Sequence, residues 1–368
     1  MLWFFIILVA LTFIFNWLTV KHGLEGVSYI RSLSKNMVEI GEEFEIIATI
    51  ENRKFFPVAF LKITEKFPLS LNYKMKSNCD RIGDCFDHII TLFIMPYQRV
   101  KRTYSVSGSE RGHYIFRSAR LEAGDFIGFK TSQKDVDYLQ ELVVLPKKID
   151  LDEDLMPFGN YYGDISVIRW IIDDPLMTTG IREYTGNEPE KHIHWPSSLK
   201  YNSLMVKNFD FTTDNDVKII LNVECSKPFW VNVDKDKIED CISLCRGLVE
   251  ELEHNKIPYN FITNSYGEHN MIENFHAGGV NYYNSTLNAL GKVSYGVAIK
   301  FEDLIDDIFN RRENFTTFIL VTPRIFDPYI EPLNKLITNG NKLILISLEE
   351  EKLDKLDSSI IKYIRRIS

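Results

Sequence analysis

Phe315-Thr316-Thr317-Phe318-Ile319-Leu320-Val321 and, further on, Lys342-Leu343-Ile344-Leu345-Ile346 decide the fold. Each ends in an unbroken apolar run of strand length. A strand with one wet face alternates apolar with polar residues, so an unbroken run predicts a strand covered on both sides. Between the two, residues 328–339 carry helical spacing. Working outward, the same alternation continues. Residues 217–223 read as a strand, 235–255 as a helix and 259–262 as a strand. Helical turns follow near 285–290 and 301–310, and a last helix is expected near 350–366. Short strands alternating with amphipathic helices predict an α/β domain built on a doubly wound, mainly parallel sheet.

Upstream the period changes. From residue 27 to 146 the chain is rich in β-branched and aromatic residues with period-two alternation, as in Phe44-Glu45-Ile46-Ile47-Ala48-Thr49-Ile50. Gly41 and Asn52 read as turn residues. Such strands without a long helical stretch predict an antiparallel β-sandwich, so the chain is all-β followed by α/β. Residues 147–178 lose both periods and carry Pro157, Gly159, Gly163 and Pro175 among acidic residues, which predicts a linker. The expected division is an anchor at 1–20, a sandwich at 21–146, a linker at 147–178, and a motif segment with the α/β domain at 179–368.

Residues 1–20 are nearly all apolar, broken only by Thr12, Asn16 and Thr19. As a helix rising about 1.5 Å per residue they span a hydrocarbon core of about 30 Å. No Lys or Arg precedes the run and no small-x-small cleavage site follows it, so the segment reads as an uncleaved anchor rather than a signal peptide. Lys21, Arg31 and Lys35 follow it, and the positive-inside rule then places the bulk of the chain in the cytoplasm.

The formal net charge is −8 over 368 residues, unevenly spread. Residues 21–146 hold 18 Lys and Arg against 16 Asp and Glu; residues 147–368 hold 25 against 35. No basic stripe is present to neutralise phosphates, so nucleic acid is not an expected partner. Five cysteines show no C-x-x-C spacing, and Cys241 and Cys245 fall at i, i+4 within a helical apolar pattern, as packing residues do. Cys79 and Cys85 are close enough to close a loop in an oxidising space. The chain has no phosphate-binding G-x-x-x-x-G-K-[ST], no H-E-x-x-H and no G-x-S-x-G, so it reads as a non-enzyme without a cofactor. His192 and His194 would share a face if they lay on a strand, but no third ligand accompanies them.

Two stretches carry a resemblance. The first is Arg111-Gly112-His113-Tyr114, then Ala123-Gly124-Asp125-Phe126-Ile127-Gly128-Phe129, then Leu142-Val143-Val144-Leu145-Pro146. The second is Gly180-Ile181-Arg182-Glu183-Tyr184, then Ile193-His194-Trp195, then Leu204-Met205-Val206-Lys207. In this order, behind an apolar N-terminus, they resemble the domain of unknown function 58 family over nearly the whole chain. Departures are Asn187-Glu188 for the family's Gly-Asp, Lys191 for its Arg, and Leu199-Lys200 for its Ala-Arg. Lysine at 191 lacks the bidentate fork of a guanidinium.

The resemblance implies a membrane-anchored scaffold or adaptor whose partner is a MoxR-type AAA+ ATPase, acting in envelope or complex assembly. It also implies that the α/β domain is von Willebrand factor A-like. The metal site of that fold presents Asp-x-Ser-x-Ser after the first strand; here the run is Asn222-Val223-Glu224-Cys225-Ser226, with Thr322-Pro323 in place of a later Asp. Asn222, Glu224 and Ser226, with Thr286, make a degenerate set for a hard cation, so no metal is expected. Arg182, Tyr184, Lys191, His194, Trp195 and Lys207 form the candidate partner-binding set, since Trp, Tyr and basic residues are the usual interface anchors. If Trp195 instead braces the domain, its ring should be buried. Two rivals remain: an enzyme using Glu188 and His194 as acid and base, and an extracytoplasmic adhesion module with Cys79 and Cys85 bridged.

Overall fold

The computed structural model describes residues 23–74, 80–82, 85–124, 131–158, 178–184, 193–209, 217–266, 273–274, 280–313, 315–338 and 340–365, together with Trp3 and Ile7. The chain divides into two compact units, Met1–Lys147 and Lys148–Ser368. Among the described residues no helix is long and apolar enough to cross a membrane. The expected anchor at 1–20 lies outside them apart from Trp3 and Ile7, which are helical.

The described part of the first unit is built of strands: β1 (Val27–Leu33), β2 (Met37–Val38), β3 (Glu43–Asn52), β4 (Val58–Pro68), β5 (Leu71–Tyr73), β6 (Asp80–Ile82), β7 (Cys85–Ile94), β8 (Arg99–Gly108), β9 (Gly112–Phe116), β10 (Ala119–Gly124), β11 (Thr131–Val136) and β12 (Gln140–Val144). They form sheets ordered β1-β3-β8-β5 and β11-β10-β4-β7-β6, with a small β2-β12-β9 sheet beside them. The alternation dictates which side chains meet. β3 buries Phe44, Ile46, Ala48 and Ile50, and β4 buries Leu61, Ile63 and Phe67. Tyr29, Ala48 and Ile50 of one sheet pack against Leu61, Ile63, Ile90 and Leu121 of the other, which makes a β-sandwich. A second apolar cluster gathers around Phe44, Phe67, Phe86 and Phe116, with Phe67 meeting Phe86 and Phe116 edge-on. Gly41 takes φ +81°, the left-handed conformation that its turn into β3 requires.

One inward position of β4 is a carboxylate. Glu65 is fully buried between Ile63 and Phe67 and accepts a hydrogen bond from the Tyr29 hydroxyl. Arg31 lies 3.4 Å from Glu65 Oε1, and His88 Nδ1 lies 3.2 Å from Glu65 Oε2. The buried guanidinium also donates to Gln140 Oε1 at 3.0 Å and to the Arg117 carbonyl at 2.9 Å, so it touches all three sheets of this unit or their connections. Burial first, and the neighbouring Glu65 carboxylate second, push the Tyr29 phenol well above its ordinary range, which keeps it a donor.

The second unit holds β13 (Leu155–Pro157), β14 (Thr178–Glu183), β15 (Met205–Phe209), β16 (Val217–Leu221), β17 (Tyr259–Thr263), β18 (Glu273–Asn274), β19 (Thr317–Thr322), β20 (Lys342–Ser347) and β21 (Ile361–Arg365). Its helices are α1 (Leu151–Asp154), α2 (Trp195–Tyr201), α3 (Lys235–His254), α4 (Val280–Lys292), α5 (Phe301–Asn310) and α6 (Asp327–Leu336). Seven strands form one sheet in the order β13-β21-β20-β19-β16-β17-β18. The five inner strands run parallel, and β13 and β18 are antiparallel edges. From β16 the chain adds β17 on one side, then β19, β20 and β21 on the other, so the winding reverses between β16 and β19. That is the doubly wound sheet expected from the unbroken apolar runs. Ile220, Leu320 and Leu345 pack with Leu304 and Ile308 of α5 and Tyr329 and Leu333 of α6. The alternate residues Ile219, Leu221, Ile319 and Val321 are equally buried, and α3 packs across β16 and β19. Gly247 within α3 permits the approach of the preceding segment, since a Cβ there would sit 3.1 Å from Leu151 Cδ2.

Two expectations require correction. Residues 148–158, expected within a linker, join the α/β unit: β13 pairs with β21, Leu155 is fully buried, and the Phe158 amide donates to the Lys362 carbonyl at 2.9 Å. A strand of three residues is too short to show a period, so the sequence could not announce it. Residues 159–177 lie outside the described residues. The expected last helix at 350–366 is instead a 3-10 turn, Leu353–Lys355, followed by strand β21. Asp357 explains the break: its Oδ1 accepts from the Ser359 amide at 2.8 Å, and the β-branched, aromatic run that follows pairs with β20.

Candidate functional site

β14 and β15 form a two-stranded ribbon, with the short helix α2 beside it. β14 and β15 pair antiparallel with Ile181 opposite Lys207 and Arg182 opposite Val206, and a bulge falls between Thr178 and Gly180. Ile193 bridges to Val206, and the His194 amide donates to the Met205 carbonyl at 2.8 Å. His194 does not lie on a strand: it is the N-cap of α2. Its Nδ1 lies 2.8 Å from Ser197 Oγ and accepts from the Ser197 amide at 3.3 Å, while Pro196 stands in the first turn where no backbone donor is needed. Ser198 closes the other side. Its hydroxyl donates to the His194 carbonyl at 3.0 Å and accepts from the Met205 amide at 2.8 Å. Asn202 ends the helix in the left-handed conformation.

The described candidate residues do not all share one face of the ribbon. Opposite residues of an antiparallel pair share a face and neighbours alternate, so Arg182 and Tyr184 share the Val206 face and Lys207 lies on the other with Ile181. Lys191 lies outside the described residues, as do Glu188 and His192. Trp195, the first residue of α2, is 60% exposed, and Leu199 one turn on is 82% exposed. The ring is not a core contact.

The second candidate set lies where three parallel strands end side by side. Asn222 follows β16, Asn264 follows β17 and Thr322 ends β19, all fully buried. Asn222 Nδ2 donates to Thr322 Oγ1 at 3.0 Å, and its Oδ1 accepts from Asn264 Nδ2 at 2.9 Å and from the Glu224 amide at 3.0 Å. Asn264 Oδ1 in turn accepts from the Val223 amide at 2.9 Å. Glu224 is fully buried. Its Oε1 accepts from the Phe301 amide at the start of α5 at 2.7 Å, and its Oε2 accepts from the Tyr329 hydroxyl at 2.6 Å. Lys227 Nζ sits 2.7 Å from Glu224 Oε2 and 2.6 Å from Glu302 Oε2, and 4.9 Å from the centroid of the Tyr329 ring. Burial, and then Glu224, push the Tyr329 phenol far above its ordinary range, so it donates.

A divalent ion does not fit this set. Ser226 Oγ is turned into its own loop, its single proton facing the Pro228 and Asn232 carbonyls at 2.8 and 3.0 Å while it accepts from the Asn232 amide. Thr286 lies beside Tyr259 and Tyr282, at the opposite, amino end of β17. The carboxylate oxygens that would face the ion face an ammonium instead. Sequence reading found Asn222, Glu224 and Thr322 and missed Asn264, Lys227, Glu302 and Tyr329. One signal was available: a polar residue directly follows or ends each of three apolar parallel strands. Cys225, Cys241 and Cys245 are free and buried, and burial pushes all three thiols up, as inert packing residues require; Cys85 is also free.

No family model matches the chain, and no curated protein matches it. Solved structures give only remote likenesses. A cohesin module of a Clostridium perfringens family 33 glycoside hydrolase is 10% identical, with a TM-score of 0.24, covering 32% of this chain and 96% of that one. A non-cellulosomal cohesin from the archaeon Archaeoglobus fulgidus is 11% identical, with a TM-score of 0.23, covering 32% and 91%. A human PapD-like (ASH) domain is 13% identical, with a TM-score of 0.20, covering 33% and 87%. The strand pairing, not these likenesses, defines the two folds.

Proposed function

We propose that this protein is a non-catalytic scaffold or adaptor of the domain of unknown function 58 kind. Residues 1–20 anchor it with the bulk of the chain at the cytoplasmic membrane face, and its α/β unit is von Willebrand factor A-like. Residues 180–207 dock a MoxR-type AAA+ ATPase. The carrying observation is Trp195, 60% exposed on a helix fixed at both ends. A buried brace would be covered; a rigid exposed indole with Leu199 beside it has the character of an interface anchor. The ordered motifs support the family reading, and the basic residues that follow the apolar N-terminus support the orientation.

The test pairs two measurements on Trp195→Ala, using the purified MoxR-type ATPase of the same organism as the probe. The melt should stay within about 0.5 kcal/mol of wild type, as for an exposed site. Affinity should fall by about 30-fold or more, the equivalent of about 2 kcal/mol for a hot-spot anchor. A lowered melt with retained binding makes the segment structural and removes the docking reading. Failure of the wild-type chain to bind the ATPase removes the partner. A reporter fused after Ser368 and active only outside the cell would invert the orientation.

A further inference from the structure

Glu224 is a fully buried carboxylate, and a charge in such a place persists only against a counter-charge with its lone pairs satisfied. Its two oxygens have three donors: the Phe301 amide, the Tyr329 hydroxyl and the Lys227 ammonium. The ammonium also reaches Glu302, so two carboxylates, one from the loop after β16 and one from the first turn of α5, converge on one cation at 2.7 and 2.6 Å. The place is the carboxyl end of the sheet beside the reversal between β16 and β19, where doubly wound folds hold their ligands. Hard divalent ions sit among carboxylate oxygens at about 2.0–2.6 Å, so the ammonium fills the volume such an ion would need. We infer that Lys227 is a tethered substitute for a divalent cation: the carboxyl edge of this sheet is a cation site whose occupant is part of the chain. The positive charge there is then set by sequence and not by the ions in solution, and the order of the 222–227 loop does not depend on magnesium. This inference does not depend on the docking reading, and its test uses no partner.

The full-length chain is melted in EDTA and in millimolar Mg²⁺ or Mn²⁺, as wild type, as Lys227→Ala, and as Lys227→Ala with Glu302→Gln. Wild type should melt at one temperature in all three media. Lys227→Ala should melt lower in EDTA by about 3–6 °C, a typical response for a unit of this size, and recover at least half of that loss with Mn²⁺. The double variant should not recover, because the second carboxylate is gone. Should Lys227→Ala be unfolded in EDTA, Mn²⁺ must restore its far-ultraviolet circular dichroism, and Lys227→Ser must show the same ion dependence. Stabilisation of wild type by the ions overturns the inference, as does an unchanged melt of Lys227→Ala or a loss that no divalent ion repairs.

Discussion

Glu65 in the sandwich and Glu224 in the α/β unit are both fully buried carboxylates, and each is satisfied by a tyrosine hydroxyl and a basic side chain. The partners are recruited differently. Tyr29 and Arg31 reach Glu65 from β1 and His88 reaches it from β7, so the charge is shared among strands of different sheets and every member is at most 6% exposed. The cation of Glu224 comes from three residues along the same loop, and its side chain remains 21% exposed beside a Glu302 exposed to a similar degree. One electrostatic solution thus serves two ends. Inside the sandwich it ties sheets to one another; at the sheet edge it fixes the charge of a surface.

Breaking the interior centre should cost most. Arg31→Ala leaves the buried Glu65 carboxylate without its guanidinium, and should lower unfolding free energy by about 3–5 kcal/mol in a denaturant titration. Replacing Arg31 and Glu65 together by Met and Leu should recover most of that loss, because a buried ion pair is worth little over a well-packed apolar pair. If the double variant is no better than the single, Arg31 matters through Gln140 and the Arg117 carbonyl instead. Next in size, Tyr329→Phe removes one hydrogen bond to a charged acceptor and should cost about 1.5–3 kcal/mol; Tyr29→Phe should cost the same. A much smaller loss at Tyr329 alone would mean that water reaches Glu224 and that the two centres are less alike than their geometry. The smallest effect separates them by salt. The coupling between Lys227 and Glu302 in a double-mutant cycle should be about 0.2–1 kcal/mol at low ionic strength and fall by half or more in about 1 M salt. The coupling between Arg31 and Glu65 should not move.

Both centres bear on what a sequence discloses. Val27, Tyr29 and Leu33 set an inward register on β1 in which Arg31 also falls, and Ile63 and Phe67 do the same for Glu65 on β4. Opposite charges in two inward registers are a pairing signal that the alternation itself carries, though it does not say which strands meet. The parallel strands of the second unit were legible because burial on both faces forces unbroken apolar runs. β13 was not, being three residues long, and the short apolar run of β21 fits a helical period as well as a strand's. In the candidate segment around β14, α2 and β15 the residues were visible in the sequence but their geometry was not. Histidine is an uncommon N-cap, so the sequence around Trp195 carries no strong helix-start signal beyond Pro196 and the paired serines of the first turn. In the sequence a lysine after Ser226 is like any solvated loop residue; only the convergence of Glu224 and of Glu302 at the start of α5 gives Lys227 a role.

The antiparallel pairing of β13 with β21 also governs how the α/β unit answers a pull. Leu155 stands opposite Arg365 and Pro157 opposite Tyr363, so the chain enters β13 and leaves β21 at the same end of the pair. Tension between residues 155 and 365 therefore opens these hydrogen bonds one after another, as a zip does, instead of shearing them together. The edge of the sheet would peel at low force while the parallel strands behind it, and the cation centre at their ends, stay closed.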